Sequence, residues 1–313
     1  MSRVHVVGNS CVDIYVPPHE APPPGGITAI PPIEAQVGGN GANTAVALGR
    51  LGVRVALFGL IGDDLFGRFV HETLEREGVD VTRFKLVEGK RSPVTLVQNH
   101  ANGERSFVHH FGTNAEFSVP DAALRAPCAV FHLAAPELLP GIWPGGAIEM
   151  ARRAKEAGAV VSLDTFADPN DDRDAIVRDH RAILSTVDMI FPNEEEAVLV
   201  SGRRESRSVA NYFHQLGVKL VVIKRGEHGA IVSWQGHFEV VPAFPTQSVD
   251  TCGAGDNFVA GFLSGYVRGV DPVTCARIGC AMGSLCVAYR GALTGSSEPH
   301  RVGRALELAG VEA

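Results

Sequence analysis

Residues 159–191, AVVSLDTFADPNDDRDAIVRDHRAILSTVDMIF, read as a strand over 159–164, a helix over 172–185 and a second strand over 187–191. Strands joined through a helix run parallel, since a parallel pair needs a long crossover where an antiparallel pair needs only a turn. The rhythm extends both ways. Strand 129–134 and helix 146–157 precede this unit; helices 194–201 and 206–216 and strand 219–224 follow it. Strands alternating with amphipathic helices make a parallel sheet covered on both faces. The expected fold class is therefore α/β, a three-layer, doubly wound, mostly parallel sheet. Ligands of such sheets bind outside the carboxyl ends of the strands.

Toward the N-terminus, Val4 to Val7 read as a buried strand. Residues 17–32, PPHEAPPPGGITAIPP, carry seven prolines and two glycines, which excludes helix and leaves edge or extended structure. Alternation resumes over Glu34 to Val37, and Gly38 to Asn43 lead into a helix through Ala47, Leu48 and Leu51. A strand over 53–60 and a helix over 65–77, ended by Gly78, come next. Val94 to Asn99 and Arg105 to Phe111 alternate on either side of Asn102-Gly103, a strong hairpin signal. Together with the proline-rich segment they predict a small β-sheet outside the main core, a lid formed by residues 14–37 and 92–112. A further hairpin over 229–241 and a last long helix over 273–289 complete one domain spanning 1–313.

The 313 residues are 45% apolar, enough for a full α/β core. A net charge of −7, without a block of positive residues, argues against nucleic acid or an acidic membrane as partner and favours a small molecule. There is no apolar run of membrane-spanning length, and MSRVHVVGNS enters a strand at once, so a cytoplasmic location is expected. The six cysteines form no C-x-x-C pair and read as reduced, small apolar residues; the twelve histidines are scattered.

Chemistry concentrates in Val249 to Leu263, VDTCGAGDNFVAGFL. Phe258, Val259, Phe262, Leu263, Tyr266 and Val267 recur at helical spacing, so a loop of small residues stands directly before a helix. Free N–H groups at a helix start form an anion site, and Gly253, Ala254 and Gly255 have too little side chain to block one. Asp256, on the first turn, is placed either to accept a proton beside a phosphate or merely to favour the helix dipole. A P-loop is absent, and neither GNSCVD nor GGNGANTA fits a dinucleotide fingerprint.

VDTCGAGDNFVAGF and VGGNGANTAVALGRLG together resemble the two signature regions of the ribokinase-like (PfkB) carbohydrate kinase family, and the order of elements matches it over nearly the whole chain. The resemblance implies an ATP-dependent sugar kinase, with Asp256 as base and the N–H groups of Gly253, Ala254 and Gly255 as anion hole. It implies that Asn193 and Glu196 of FPNEEE hold Mg²⁺ through water, and that Lys224, Gly226, Gly229, Gly255 and Cys280 border the nucleotide. Asp250, Cys252, Cys286, Tyr289 and Gly291 match a monovalent-cation loop that would take K⁺. Asp13, Gly39, Asn40, Gly41 and Asn43 match the sugar site; Glu137 is either a further sugar contact or an exposed loop acid. Three positions depart from ribokinase. Cys11 replaces an asparagine and Asn40 a lysine, which puts ribose itself in doubt; Lys224 stands in place of a threonine at the nucleotide site, as a direct phosphate contact or a solvated surface lysine. His109, His110, Phe111 and Asn114 lie where a lid meets the sugar. A nucleoside kinase of the same family, or a non-catalytic sugar or nucleotide sensor, are the alternatives, and a homodimer through the lid is a further expectation.

Overall fold

The computed structural model describes residues 4–20, 22–99, 105–118, 127–168 and 170–311. Its main sheet has nine strands in the order β13 (His237–Val241), β12 (Ala230–Trp234), β11 (Leu220–Lys224), β10 (Met189–Ile190), β9 (Val160–Asp164), β8 (Val130–Ala134), β1 (Val4–Gly8), β4 (Val55–Gly62) and β5 (Phe84–Val87). From β11 to β5 every pairing is parallel, and β12 and β13 add antiparallel strands at one edge. Strand β1 pairs with β4 on one side and β8 on the other, so the winding direction reverses there. A crevice opens outside the strand ends at such a reversal.

Alternation along the strands sends side chains into two cores. Val4 and Val6 of β1, with Leu57 and Val222, face one core; Val7, with Phe58, Leu133 and Val221, faces the other. Helices α1 (Asn40–Arg50), α2 (Leu65–Arg76), α7 (Ala254–Tyr266), α8 (Pro272–Val287) and α9 (Pro299–Leu308) cover the first core. Helices α3 (Gly145–Glu156), α4 (Arg173–Leu184), α5 (Glu194–Ser201) and α6 (Ser206–Gln215) cover the second. Phe262 of α7 is fully buried and meets Phe191 edge-on at 5.1 Å, a burial worth about 1.5–3 kcal/mol. Because α7 is flanked by α1 and α8 and meets Phe191 of the core, it is buried from Asp256 to Gly265 and needs no polar face.

The second sheet has four strands in the order β3 (Glu34–Gly38), β2 (Cys11–Val16), β6 (Val94–Asn99) and β7 (Arg105–His110). The chain passes from β1 to β2 through Asn9 and Ser10 alone, so this sheet springs from the reversal point of the first. Strand β2 begins at Cys11, three residues before the expected edge of the lid, because Cys11 already pairs with Gly38. Strands β6 and β7 pair antiparallel as expected, and Asn102-Gly103 lie outside the described residues. Two elements were not anticipated. Strand β5 has only four residues with two exposed; α9 does carry an apolar stripe, Val302, Ala305, Leu306 and Ala309, which the sequence reading passed over.

Candidate active site

Three expected site residues, Glu137, Asn193 and Lys224, and two that were not expected, Asn9 and Asp164, sit where main-sheet strands end. Asn9 follows β1, Glu137 follows β8, Asp164 ends β9, Asn193 follows β10 and Lys224 ends β11. Asn9 then fixes the start of α1: its carbonyl accepts from the Gly41 N–H at 3.0 Å, and its side-chain oxygen accepts from the Asn40 N–H at 3.0 Å. The helix start lies so close to β1 that a Cβ on Gly41 would stand 2.6 Å from the carbonyl carbon of Gly8. This approach brings Asn40 and Asn43 onto Asp256. Their amides donate to its two carboxylate oxygens at 3.0 and 2.8 Å.

Asp256 is buried on the first turn of α7. Burial and the nearby Asp164 carboxylate raise its pKa, while the Asn43 hydrogen bond, the Lys224 charge and Asn40 oppose them; the result is about 6. A carboxylate with raised proton affinity in a cleft is suited to general-base work. Gly253 caps the helix at φ 72°, and a side chain there would strike Ala292, so the tight turn needs glycine. The Ala254 N–H turns back to the Thr251 carbonyl at 3.3 Å, whereas helix geometry leaves the Gly255 and Asp256 N–H groups without a partner one turn earlier. Of the three expected donors, Gly253, Ala254 and Gly255, the Ala254 N–H is thus engaged within the loop, while Gly255, with Asp256 beyond it, stays open. Asn257, fully buried, staples the loop by donating to the carbonyls of Gly253 and Ala292.

On one side of this turn lies a cleft of about 820 Å³ lined by Asn193, Lys224, Gly226, Gly229, Ala254, Gly255 and Cys280, with Phe244, Phe258 and Val287 supplying apolar walls. Asn193 and Glu196 form a reciprocal cap of α5: each backbone N–H is held by the other's side chain at 2.8 Å. Thr165 donates to the same Glu196 oxygen at 2.9 Å. Burial raises the Glu196 pKa to about 7, with the Lys224 charge opposing. Among the described residues no cluster of three or more His, Cys, Asp or Glu could grip a metal directly. Lys224 is no surface lysine: its ammonium meets Asp164 at 2.5 Å, with the two side chains 14% and 3% exposed. Burial opposes its charge, but Asp164, Glu196 and Asp256 outweigh burial and hold it protonated.

On the other side lies a cavity of about 900 Å³. Its inner part is lined by Asn9, Cys11, Asp13, Gly39, Asn40, Asn43, Gly253 and Asp256, its outer part by Phe107, Phe111, Trp143, Phe166 and Ile176. The Cys11 thiol donates to Asp13 at 3.2 Å, and Thr95 bonds His109 at 3.0 Å. Burial raises the Asp13 pKa, with the Cys11 and Thr95 contacts opposing. Glu137 is buried, not an exposed loop acid, and stands 2.9 Å from His180 without well-formed hydrogen-bond geometry. His109 and Phe111 line this cavity; Asn114 instead braces the sheet by donating to the Ser10 carbonyl at 3.2 Å. A third cavity, about 800 Å³, shares no residue with either and lies near Asp188, Lys219 and Trp234.

Behind the turn, Asp250 accepts from the N–H groups of Cys252 and Gly291, both at 2.9 Å, tying the two loops together. Cys286 donates its thiol to the Cys252 carbonyl at 3.2 Å, and Tyr289 packs under Arg301. Sequence reading missed Asp164, Asn9, Thr95, Trp143 and Phe166. Asp164 carried one weak signal, an acid closing a strand that is otherwise apolar.

Two cavities thus meet across one helix start, with a buried carboxylate between them. A family model described as pfkB family carbohydrate kinase matches residues 1–299. The ribokinase of Haemophilus influenzae is 31% identical over 261 residues, covering 82% of each chain. The nucleoside kinase of Methanothermobacter thermautotrophicus is 28% identical over 292 residues, covering 92% of this chain and 90% of its own. The structure of Arabidopsis thaliana ribokinase complexed with ribose and ATP superposes with a TM-score of 0.84 at 27% identity, covering 99% of both chains. The chain belongs to the pfkB family of carbohydrate kinases and is a sugar or nucleoside kinase. No helix among the described residues is long and apolar enough to cross a membrane.

Proposed function

We propose that this kinase transfers the γ-phosphoryl of ATP to a hydroxymethyl group of a monosaccharide, with Asp256 as base. The meeting of the two cavities at Asp256 carries this reading: Ala254 and Gly255 line one, Gly253 and Asp256 the other. The acceptor oxygen forms the new P–O bond as the β,γ-bridging P–O bond breaks. Its proton passes to Asp256, and ADP leaves with the electron pair. Phosphoryl transfer depends chiefly on positioning and charge stabilisation, which the open N–H groups before and within the first turn of α7 supply. Asp13 and Asn43, with Gly39, Asn40 and Gly41 shaping the turn, orient the hydroxyls; a carboxylate is a natural acceptor for two of them.

Asn193 and Glu196 suit Mg²⁺ held through its water shell, because their mutual cap already engages Asn193 Oδ1 and Glu196 Oε2. Bound there, the ion would neutralise phosphate charge. K⁺ suits the carbonyl-rich turn formed by Cys252, Cys286, Tyr289 and Gly291 and braced by Asp250, and omitting it should lower activity. The four-stranded sheet acts as a lid whose closure excludes water. Its open edges suit a second copy, a pairing that sedimentation showing only monomer would reject.

One observation favours a nucleoside as acceptor. Phe107, Phe111, Trp143 and Phe166 add aromatic surface to the cavity, beside the acids Asp168, Asp171, Asp172 and Asp179, that a free sugar would leave uncovered. An ADP-release assay across pentoses, hexoses and nucleosides decides between them. Turnover on none of these would leave a sensor, and Asp256→Asn with full activity would sink the assigned base.

A further inference from the structure

Four ionisable side chains crowd the edge where the two cavities meet: Asp164, Glu196 and Asp256 surround the single cation, Lys224. A buried ion pair is weak evidence for stability, so the placement of this one calls for a reason. The Lys224 ammonium lies 3.2 Å from where a Cβ on Gly255 would stand, directly beside the open N–H groups of α7. It lines the nucleotide cleft, carries three donors, and gives one to Asp164. Asp164 comes from the neighbouring part of the sheet, 60 residues away in sequence, and has no place in the cap that Asn193 and Glu196 share.

We propose that Lys224 touches the transferring phosphoryl group, and that Asp164 is a positioning residue that holds the ammonium over Gly255 and off Asp256. The inference rests on Asp256 being the base and the α7 start being the anion site. As the phosphoryl passes from ADP to the acceptor oxygen, its charge spreads over three oxygens. Gly255 and Asp256 offer two N–H donors to them; the ammonium supplies the full positive charge that backbone groups lack. Without Asp164 the anions left to Lys224 are Glu196, whose Oε2 is already held by Asn193 and Thr165, and Asp256; an ammonium paired with Asp256 would weaken the carboxylate as a base. Asp164 therefore leaves the base free and the cation poised.

The test compares Lys224→Met, Asp164→Asn, the double variant and Asp256→Asn in steady-state assays, using ATP with D-ribose, D-fructose and inosine as probe acceptors. Binding of ADP alone, and of ADP with Mg²⁺ and aluminium fluoride as a phosphoryl mimic, is titrated in parallel. Lys224→Met should lower kcat by about 10²–10³, the loss typical of one preorganised donor to a developing anion. Its KM for ATP and its ADP affinity should stay within about threefold, while the gain in affinity from aluminium fluoride disappears. Asp164→Asn should lower kcat by about tenfold alone and by less than about twofold in the Lys224→Met background, because a positioning residue has nothing left to position.

The acid limb of kcat/KM adds a sign. Asp256 is faced by Asp164 from β9, Lys224 from β11, the neutral Asn40 and Asn43 from α1, the Cys252 thiol from the adjoining loop and the Cys286 thiol from α8. Lys224→Met should move the limb to higher pH and Asp164→Asn to lower pH, a split that a merely structural pair would not produce. If Lys224→Met fails to fold, the double variant removes both charges, and turnover equal to that of Asp164→Asn alone overturns the proposal. Lys224→Met with kcat within twofold of the parent, or independent losses that multiply, also overturns it while Asp256→Asn stays inactive. Full turnover by Asp256→Asn removes the base assignment, and this inference with it.

Discussion

The two sheets of this kinase solve opposite problems. In the nine-stranded sheet every residue of β1 and β8 is buried, with helices on both faces. In the four-stranded sheet Leu96, Phe107 and Val108 are 41%, 59% and 63% exposed. The first sheet holds Asn193, Asp164 and Lys224 at its strand ends, and the helices packed on it carry Asp256 and its two asparagines, which a small displacement would separate. The second sheet contributes Asp13, Thr95, Phe107 and His109 to the wall of the acceptor cavity. On the proposed function, rigidity is invested where the chemistry is common to all acceptors, and a thin, exposed sheet serves where the acceptor is recognised.

This contrast breaks if the two sheets respond alike to truncation. Phe262→Ala, in the core beneath the transfer site, should cost about 3–5 kcal/mol in urea unfolding, as for other buried aromatics. Asp256→Asn should move stability the other way. The folded carboxyl holds its proton up to about pH 6, whereas the unfolded one releases it near the ordinary aspartate value of 3.8. The folded state therefore binds more protons between those values, and stability from this group falls as pH rises through them. At pH 7.5 the neutral amide should be more stable than the parent by about 2 kcal/mol, and the gain should vanish below about pH 4. A gain absent at pH 7.5 would show that Asp256 is not strained in the folded state.

The same group sets a kinetic limit: kcat/KM should fall about tenfold per pH unit below a midpoint near 6. A flat profile down to pH 5 would contradict the base assignment. The smallest effect belongs to the second sheet. Phe107→Ala should leave unfolding within about 0.5 kcal/mol of the parent while raising KM for the acceptor and leaving KM for ATP unchanged. A loss of stability comparable to that of Phe262→Ala would erase the distinction between the sheets.

The main sheet was legible because its parallel strands are apolar runs separated by helices of ordinary length, so pattern and fold coincide. The transfer loop was legible because Gly253, Ala254, Gly255 and Asp256 are contiguous. The Lys224–Asp164 pair was not, because 60 residues separate its members and only the β9–β10–β11 order brings them together. Glu137 was ambiguous for a similar reason: its burial depends on His180, which arrives from α4. The aromatic surface of the acceptor cavity was hidden because Phe107, Trp143 and Phe166 come from three unrelated segments, each unremarkable alone. Contacts within one turn leave a sequence trace, while contacts made by sheet order leave none.

The approach of Gly8 to Gly41 has a practical bearing on redesign. Both neighbours are backbone, so neither position can accept a methyl group by letting a side chain swing away. A library aimed at new acceptors should hold these two glycines fixed and randomise Cys11, Thr95, Phe107 and Phe111 instead. The first pair is a hinge pin between strand and helix; the other four are wall panels that can be exchanged while the pin stays in place.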